Sequence, residues 1–167
     1  MMSSLKAAIV DVPDFPKPGI VFRDITPVLS SPALFRQALG EMTSQVRWAD
    51  VDVVVGIESR GFILGAALAA LHQKGFVPMR KAGKLPPPVH GQAYALEYGE
   101  ATLELKAGQG RALLVDDVLA TGGTLEAALS LCRRAGFDVT HVAVLINLTF
   151  LNQLTFAGQK VRAAIEY

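Results

Sequence analysis

The architecture of this chain is set by one short segment, Arg111-Ala112-Leu113-Leu114-Val115-Asp116-Asp117-Val118-Leu119-Ala120-Thr121-Gly122-Gly123-Thr124-Leu125. Leu113, Leu114 and Val115 are consecutive apolar residues, which is typical of a β-strand that is buried on both faces. Two carboxylates and a loop of small residues follow, and an Ala- and Leu-rich helical pattern begins at Leu125. The segment therefore predicts a strand that ends at an acidic pair, then a turn, then a helix.

The loop after the acidic pair has the properties of a phosphate site. Residues Ala120 to Thr124 offer backbone N–H groups with little side chain in the way, two hydroxyl groups, and the start of a helix whose dipole favours an anion. The chain contains neither Gly-x-x-x-x-Gly-Lys-Ser/Thr nor Gly-x-Gly-x-x-Gly, so a P-loop and a dinucleotide fingerprint are not supported. An ordinary strand-to-helix turn is the alternative, but it leaves two adjacent carboxylates at a buried strand end unexplained.

The ligand predicted from these residues is a phosphorylated sugar. Asp116 and Asp117 can accept hydrogen bonds from vicinal hydroxyl groups while the loop of Ala120, Thr121, Gly122, Gly123 and Thr124 holds a phosphate. The segment Val115-Asp-Asp-Val-Leu-Ala-Thr-Gly-Gly-Thr124 resembles the 5-phosphoribosyl-1-pyrophosphate (PRPP) motif of the type I phosphoribosyltransferases.

The resemblance extends over nearly the whole chain and is to the adenine phosphoribosyltransferases. It is carried by Asp14-Phe-Pro, Pro18-Gly-Ile-Val-Phe-Arg-Asp-Ile-Thr-Pro, Gly56-Ile-Glu-Ser-Arg-Gly-Phe, Arg80-Lys-Ala-Gly-Lys-Leu-Pro and Tyr94-Ala-Leu-Glu-Tyr-Gly. The resemblance implies an α/β fold: an open, mostly parallel sheet flanked by helices, with a small N-terminal hood and a mobile β-hairpin arm. The departures from the pattern are Asn147, where many relatives carry an acid, and the arm residues 87–90.

The same resemblance implies a reaction, a cofactor and an assembly. Adenine and PRPP would give AMP and pyrophosphate, and Mg²⁺ would be carried mainly by PRPP rather than bound directly by protein ligands. Relatives are dimers, so Arg80 or Lys81 would act in the neighbouring subunit's site. The rival interpretations are a transferase for xanthine or another base, such as a pyrimidine, and a PRPP-sensing regulator without catalysis.

Composition limits the class of protein. With 51% hydrophobic and 19% charged residues, the 167-residue chain is predicted to be one globular domain over residues 1–167. A net charge of +1 leaves no basic excess for binding nucleic acid. The lone Cys132 cannot form an internal disulfide and is expected to be a packed core thiol. No apolar run approaches the length of a membrane span, so we expect a soluble, untargeted protein of the reducing cytoplasm.

Hydrophobic periodicity predicts alternating strands and helices from Asp52 onward, which is typical of a parallel α/β sheet. The predicted helices are Ser3–Val10, Ser31–Val46, Gly61–Leu71 and Leu125–Ala135. The predicted strands are Asp52–Ile57, Gly75–Met79, Val139–Ile146 and an edge strand at Val161–Ile165, and a β-hairpin is predicted over Val89–Lys106 with its turn at Glu97–Glu100.

A second anion site is predicted from Gly56 to Phe62, where a strand end and a tight turn place Arg60 at the start of a helix. Local pairing of Arg60 with Glu58 is the alternative. Three further cations follow the third strand ahead of a Pro run, and a solvated charged segment is their alternative role. The predicted pyrophosphate ligands are Ser59, Arg60, Arg80, Lys81 and Lys84.

The predicted catalytic residues are Asp116, Asp117, Arg60 and Glu97. Cleavage of the bond to pyrophosphate makes the ribose positive, which the acidic pair can stabilise through the sugar hydroxyls, while Arg60 and other cations neutralise the leaving group. The resemblance carries Glu97 to the base as its proton acceptor and Tyr98 to the lid, although an exposed turn is the alternative for Glu97.

For the base itself, Val21, Phe22 and Leu148 would supply apolar walls, and backbone groups around Val21 and Arg23 would read its edge. Enzymes of this superfamily that use 6-oxopurines place a lysine after the last long parallel strand. Because Ile146 to Leu154 contains no lysine, adenine is favoured.

Overall fold

The computed structural model describes residues 3–96 and 99–167, so Glu97 and Tyr98 lie outside the described residues. The chain divides into two compact units, Met1–Ser44 and Gln45–Tyr167.

From residue 3 onward, the N-terminal unit contains three helices and a two-stranded ladder, namely α1 (Ser4–Ala8), β1 (Val10–Pro13), β2 (Val21–Asp24), α2 (Thr26–Leu29) and α3 (Pro32–Met42). Ser3 caps α1, because its hydroxyl accepts the N–H of Lys6 at 3.2 Å. The prediction that this helix continues to Val10 is wrong: Val10 begins β1, which pairs antiparallel with β2. Similarly α3 begins at Pro32 as predicted but ends at Met42 rather than Val46.

The second unit begins with a 3₁₀ turn at Trp48–Asp50 and contains nine strands and two helices among its described residues. They are β3 (Val53–Ile57), α4 (Arg60–Leu71), β4 (Gly75–Lys81), β5 (His90–Ala95), β6 (Glu100–Leu105), β7 (Gly110–Leu119), α5 (Gly123–Ala135), β8 (Phe137–Asn147), β9 (Thr155–Phe156), β10 (Gln159–Lys160) and β11 (Ala163–Glu166). The short β9–β10 hairpin has no counterpart in the sequence-based prediction.

Seven strands of this unit form one open sheet in the order β11-β8-β7-β3-β4-β6-β5. The first five strands of that order are parallel to their neighbours, and β6 and β5 extend the sheet antiparallel. The predicted mostly parallel, helix-flanked sheet is therefore confirmed, and the predicted last strand lies at the edge as β11. Parallel strand order brings the carboxyl ends of β3, β4, β7 and β8 to one side, where such sheets bind ligands.

The middle of each central strand is apolar, since helices pack against the sheet. α4 packs on β3 and β7, and α5 packs on β8, β5 and β6. Leu113, Leu114 and Val115 are fully buried, as the run of apolar residues predicts. Cys132 on α5 is also fully buried, which confirms the predicted core thiol, and burial raises its pKa to about 12.

The predicted hairpin arm is present as β5 and β6, which pair from His90 with Leu105 to Ala95 with Glu100. Its base is tied to α5, because Arg134 donates to the carbonyl of Gly91 at 2.7 Å. Glu100 is part of β6 rather than of the predicted turn, and the other turn positions include undescribed residues. The mobility of the arm stays a prediction.

Candidate active site

The acidic pair, Asp116 and Asp117, lies inside β7 rather than after it. Pairing of β7 with β3 stops at Gly56 opposite Val115, whereas pairing with β8 continues to Leu119 opposite Asn147. The prediction that the strand ends before the acidic pair is therefore wrong, because the ladder to β8 holds the backbone extended beyond the apolar run. The carboxylates lie where β7 still pairs with β8 but no longer with β3, at the ligand-binding end of the sheet.

A glycine brings the first turn of α4 against the acidic pair. A Cβ added at Gly61 would lie 2.9 Å from the carbonyl oxygen of Val115 and 3.3 Å from Oδ1 of Asp116. Because only glycine permits this approach, Arg60 reaches Asp117, and its Nε donates to Oδ2 of that carboxylate. The predicted leaving-group cation is thus in direct contact with a predicted ribose ligand.

Both carboxylates of the acidic pair are nearly inaccessible, with 9% of Asp116 and 6% of Asp117 exposed. Oδ1 of Asp116 accepts the backbone N–H of Asp117 at 2.8 Å. Burial raises the pKa of Asp116 well above its ordinary value, and the neighbouring charge of Asp117 raises this pKa further. Arg60 offsets part of this rise.

The phosphate loop, defined here as Ala120 to Thr124, follows directly. It borders a pocket of about 60 Å³ lined by Val118, Leu119, Ala120, Thr121, Gly122, Thr124 and Leu125. The helix begins at Gly123, two residues earlier than the predicted Leu125, because Gly122 takes the N-cap position with φ +99°. The first turn of α5 supplies the N–H groups that an anion needs.

The predicted pyrophosphate ligands gather around Glu58. Its Oε1 accepts from Nη2 of Arg80 at 2.9 Å, and its Oε2 accepts the backbone N–H of Lys81 at 2.7 Å. The bond from Lys81 and the bond and charge of Arg80 lower the pKa of Glu58, and the charge of Lys84 lowers it further. Ser59 joins Glu58 through a cis peptide bond and directly precedes Arg60.

Arg80 and Lys81 belong to β4, so the prediction that the strand ends at Met79 is wrong. The reason is non-local: β6 pairs with β4 at exactly these residues, Arg80 opposite Glu104 and Lys81 opposite Leu103. The guanidinium of Arg80 also lies over the ring of Phe62, 5.8 Å from its centroid. Lys81 and Lys84 are exposed.

The predicted base residues fall in two units. Val21, Phe22 and Arg23 form most of β2, where Arg23 pairs with Asp11, while Leu148 directly follows β8 and donates its N–H to the carbonyl of Leu119 at 2.9 Å. The predicted proton acceptor Glu97 and lid residue Tyr98 lie outside the described residues. Within residues 3–96 and 99–167 there is no cluster of three or more His, Cys, Asp or Glu suited to a metal, and no helix long and apolar enough to cross a membrane.

Two polar groups at the site are not identifiable from the sequence. Glu58 acquires its role only when β4 and β3 lie side by side, since its partners are more than twenty residues away in the chain. Asn152 donates to the carbonyl of Ala120 at 2.8 Å, across 32 residues of chain. In the sequence, Glu58 stands out only as an acid within a turn that is otherwise suited to anions. No neighbouring residue in the sequence indicates a role for Asn152.

Comparison with known proteins places these features in one family. Residues 29–152 match the family model of the phosphoribosyl transferase domain. The adenine phosphoribosyltransferase of Bdellovibrio bacteriovorus is 56% identical over 163 residues, covering 98% of this chain and 99% of that protein.

Solved structures give the same result. The adenine phosphoribosyltransferase of Rhodothermus marinus superposes with a TM-score of 0.89 at 47% identity, covering 98% of this chain and 97% of that one. The enzyme of Giardia lamblia, complexed with 9-deazaadenine, has a TM-score of 0.87 at 38% identity and covers 100% and 99% of the two chains.

The burial of Asp116 has a measurable consequence for stability. Because its pKa is raised in the folded state, ionisation costs stability: the penalty is absent below the unfolded-state pKa of about 3.9 and grows as pH rises to the folded-state value. We expect Asp116→Asn, which keeps the Oδ1 acceptor, to raise the free energy of unfolding at pH 8. The gain should shrink on acidification toward pH ~4 in denaturant titrations.

The matched control is Asp138→Asn, at an exposed aspartate of β8, which should change the free energy of unfolding by less than about 0.5 kcal/mol. An Asp116→Asn variant that is less stable than the parent at pH 8, or a difference independent of pH, would contradict the electrostatic cost.

Proposed function

Because the chain belongs to the adenine phosphoribosyltransferase family, we propose that it transfers the 5-phosphoribosyl group of PRPP to adenine and releases AMP and pyrophosphate. One observation carries the proposal beyond the family: the close approach at Gly61 sets a cation, Arg60, against the carboxylate of Asp117. The phosphate loop follows the acidic pair in the same strand-to-helix connection. A phosphorylated sugar with an anionic leaving group needs a cation, hydroxyl acceptors and a phosphate site close together, and Arg60, the acidic pair and the phosphate loop supply them.

The chemistry divides between the two sides of the breaking bond. As the bond from C1 to pyrophosphate breaks, positive charge develops on the ribose, and the acidic pair stabilises it through the sugar hydroxyls. Negative charge develops on the leaving group, where Arg60, Arg80 and Lys84 neutralise it, with Ser59 as a further ligand. Mg²⁺ carried by PRPP would supply additional neutralisation, and the protein needs no metal cage of its own for that purpose.

Arg60 must exchange partners during this process. Its guanidinium pairs with Asp117, so an incoming pyrophosphate competes with that carboxylate for the cation. The exchange leaves Asp117 free to accept a ribose hydroxyl. Glu58 keeps Arg80 and the end of β4 in place, since it binds both the side chain of Arg80 and the backbone of Lys81.

For the base, we propose apolar walls from Val21, Phe22 and Leu148, with edge recognition by backbone groups near Arg23. The absence of a lysine from Ile146 to Leu154 supports adenine over 6-oxopurines. The Giardia lamblia relative, at 38% identity, is described in complex with 9-deazaadenine. Neither the xanthine-type transferase nor the PRPP-sensing regulator is favoured, because the adenine phosphoribosyltransferase of Bdellovibrio bacteriovorus is 56% identical and aligns over 98% of this chain.

The substrate choice is tested by a panel. The protein is mixed with PRPP, Mg²⁺ and each of adenine, hypoxanthine, guanine, xanthine, uracil and orotate, and the nucleotide product is separated by chromatography. We expect AMP from adenine, and initial rates at least about 100-fold lower for the oxopurines because the site lacks a donor for O6. Comparable turnover of hypoxanthine would overturn the assignment, and PRPP binding without turnover of any base would support the regulator.

We propose Glu97 as the group that handles the proton of the base, with Tyr98 sealing the arm as a lid. Adenine attacks through N9 while its imidazole ring loses a proton, and a carboxylate beside that ring relieves the charge as the bond forms. Exclusion of water is needed because the ribose cation would otherwise be hydrolysed.

The variant Glu97→Gln keeps size and hydrogen bonding but removes the base. We expect its single-turnover rate with saturating adenine to fall by about 10²–10⁴-fold, measured by rapid quench. Glu100→Gln is the matched control, because Glu100 is an exposed acid on β6 of the same arm. If both variants retain rates within a few-fold of the parent enzyme, Glu97 is an ordinary turn residue.

We also propose a homodimer in which Lys81 reaches the partner's site. In support, Ile63 and Leu71 on α4 are 44% and 61% exposed, and a second subunit would cover this apolar surface. Arg80 is bound to Glu58 of its own chain, which leaves the exposed side chain of Lys81 as the better candidate for action in trans.

Complementation tests this arrangement. Lys81→Ala and Asp117→Asn should each be weakly active, and subunits mixed by mild denaturation and refolding should regain activity, since a heterodimer contains one site with both residues intact. Self-mixed samples of each variant are the controls. A monomer in sedimentation velocity, or a mixture no more active than its components, would refute action in trans.

Two further parts of the proposal concern organisation and location. We propose that both compact units form a single phosphoribosyltransferase domain over residues 1–167, supported by a relative that aligns over 98% of the chain. A cytoplasmic location follows from the substrates, because multiply charged phosphates do not partition into the apolar interior of a membrane.

A further inference from the structure

The side-chain amide of Asn152 lies against the start of the phosphate loop. Its Nδ2 is 2.8 Å from the carbonyl oxygen of Ala120, 3.0 Å from Oδ1 of Asn147 and 3.1 Å from the carbonyl oxygen of Leu148. Its Oδ1 accepts the N–H of Leu154 at 3.2 Å. The amide therefore uses both its oxygen and its nitrogen, and the two N–H groups of Nδ2 are shared among three acceptors.

Asn147 fixes the orientation of this amide from the other side. It is fully buried, and its Nδ2 donates to the carbonyl of Val161 at 3.0 Å, so its Oδ1 must face Asn152. Asn147 is also the last residue of β8, where it pairs with Leu119 at the end of β7. The acceptor that orients Asn152 is therefore anchored in the sheet rather than in a loop.

The chain that follows β8 also lies beside the middle of the phosphate loop, where Leu154 is close to Gly122. A Cβ added at Gly122 would lie 3.8 Å from Cβ and Cδ2 of Leu154, which is ordinary van der Waals contact. Asn152 does not line the phosphate pocket, so its amide binds the Ala120 carbonyl from outside the lining of that pocket. Residues that follow β8 therefore bind the loop at the Ala120 carbonyl and lie beside it at Gly122.

We propose that Asn152 is a positioning residue that presets the phosphate loop for the 5-phosphate of the sugar. A carbonyl oxygen carries partial negative charge and would repel a phosphate if the Ala120 peptide turned toward the pocket. The hydrogen bond from Asn152 keeps the Ala120 carbonyl from turning into the pocket. The N–H groups of the loop then remain available to the anion. The inference rests on the proposed function, since it deepens the role of the same phosphate loop.

Binding of two small anions distinguishes a positioning role of Asn152 from a general loss of folding in the variant. Ribose 5-phosphate should occupy the phosphate loop, whereas inorganic pyrophosphate with Mg²⁺ should occupy the cations around Glu58. In calorimetric titrations we expect Asn152→Ala to bind ribose 5-phosphate about 5- to 30-fold more weakly, with pyrophosphate affinity changed less than about 2-fold. Gln153→Ala, at the exposed amide next in the chain, is the control and should bind both as the parent does.

Asn152→Asp supplies a readout that a merely structural role would not give. A carboxylate can still accept from Leu154 but cannot donate to Ala120, whereas the protonated acid can. We therefore expect the affinity for ribose 5-phosphate, taken as a ratio to the parent at the same pH, to recover as pH falls from 8 toward about 4, where the carboxyl becomes protonated. The KM for PRPP should follow the same ratio, while the KM for adenine stays within about 2-fold of the parent.

The outcomes are distinct. Unchanged binding of ribose 5-phosphate by both variants would overturn the inference, and so would equal losses for ribose 5-phosphate and pyrophosphate, since these indicate disrupted folding. A pH-independent ratio for Asn152→Asp would also overturn it. A parent protein that binds ribose 5-phosphate yet makes no AMP would refute the proposed function and leave this binding test intact.

Discussion

A backbone contact between the first turn of α4 and β7 sets the geometry on which the site depends. Gly61 is too close to the Val115 carbonyl for any side chain, and a Cβ at Gly56 would lie 2.8 Å from the carbonyl of Gly61. These two glycines let β3, the turn after it and the acidic pair of β7 share one end of the sheet. A larger residue at either point would move Arg60 from Asp117, and with it the leaving-group side of the site from the sugar side.

The charges assembled by this contact cost stability. Asp116 and Asp117 are adjacent, nearly buried acids, and the pKa of Asp116 is raised by burial and then by its neighbour. A core made only for folding would replace them with apolar residues, since burying like charges is unfavourable. Arg60 compensates in part, but it is the group that a pyrophosphate would draw away. The stability cost of these buried carboxylates is explained if their function is to stabilise the positive charge that develops on a sugar in the transition state.

The sequence correctly predicts those elements that depend on neighbouring residues in the chain. The continuous apolar runs of β3 and β7 give buried parallel strands, and the small residues after Asp117 give an anion loop at a helix start. The errors occur where a distant partner decides. Val10 is extended because β2 pairs with it, and Arg80 stays in β4 because β6 does. The β7 strand passes through the acidic pair because β8 accompanies it, and Glu58 and Asn152 gain partners only in the folded chain.

The two asparagines behind the phosphate loop form a pair that neither residue could satisfy alone. Position 147 must donate to Val161 and accept from Asn152, and only a neutral side chain with both functions can do this in a fully buried place. An acid there could accept from Asn152 but could donate to Val161 only when protonated. In this chain Asn152 donates both to Oδ1 of Asn147 and to the Ala120 carbonyl, and Asn147 in turn donates to the Val161 carbonyl. A substitution at Asn147 leaves the Val161 carbonyl without this donor, and a substitution at Asn152 does the same to the Ala120 carbonyl. Because the two amides also bind each other, the effects of the two substitutions on the phosphate loop should not be additive.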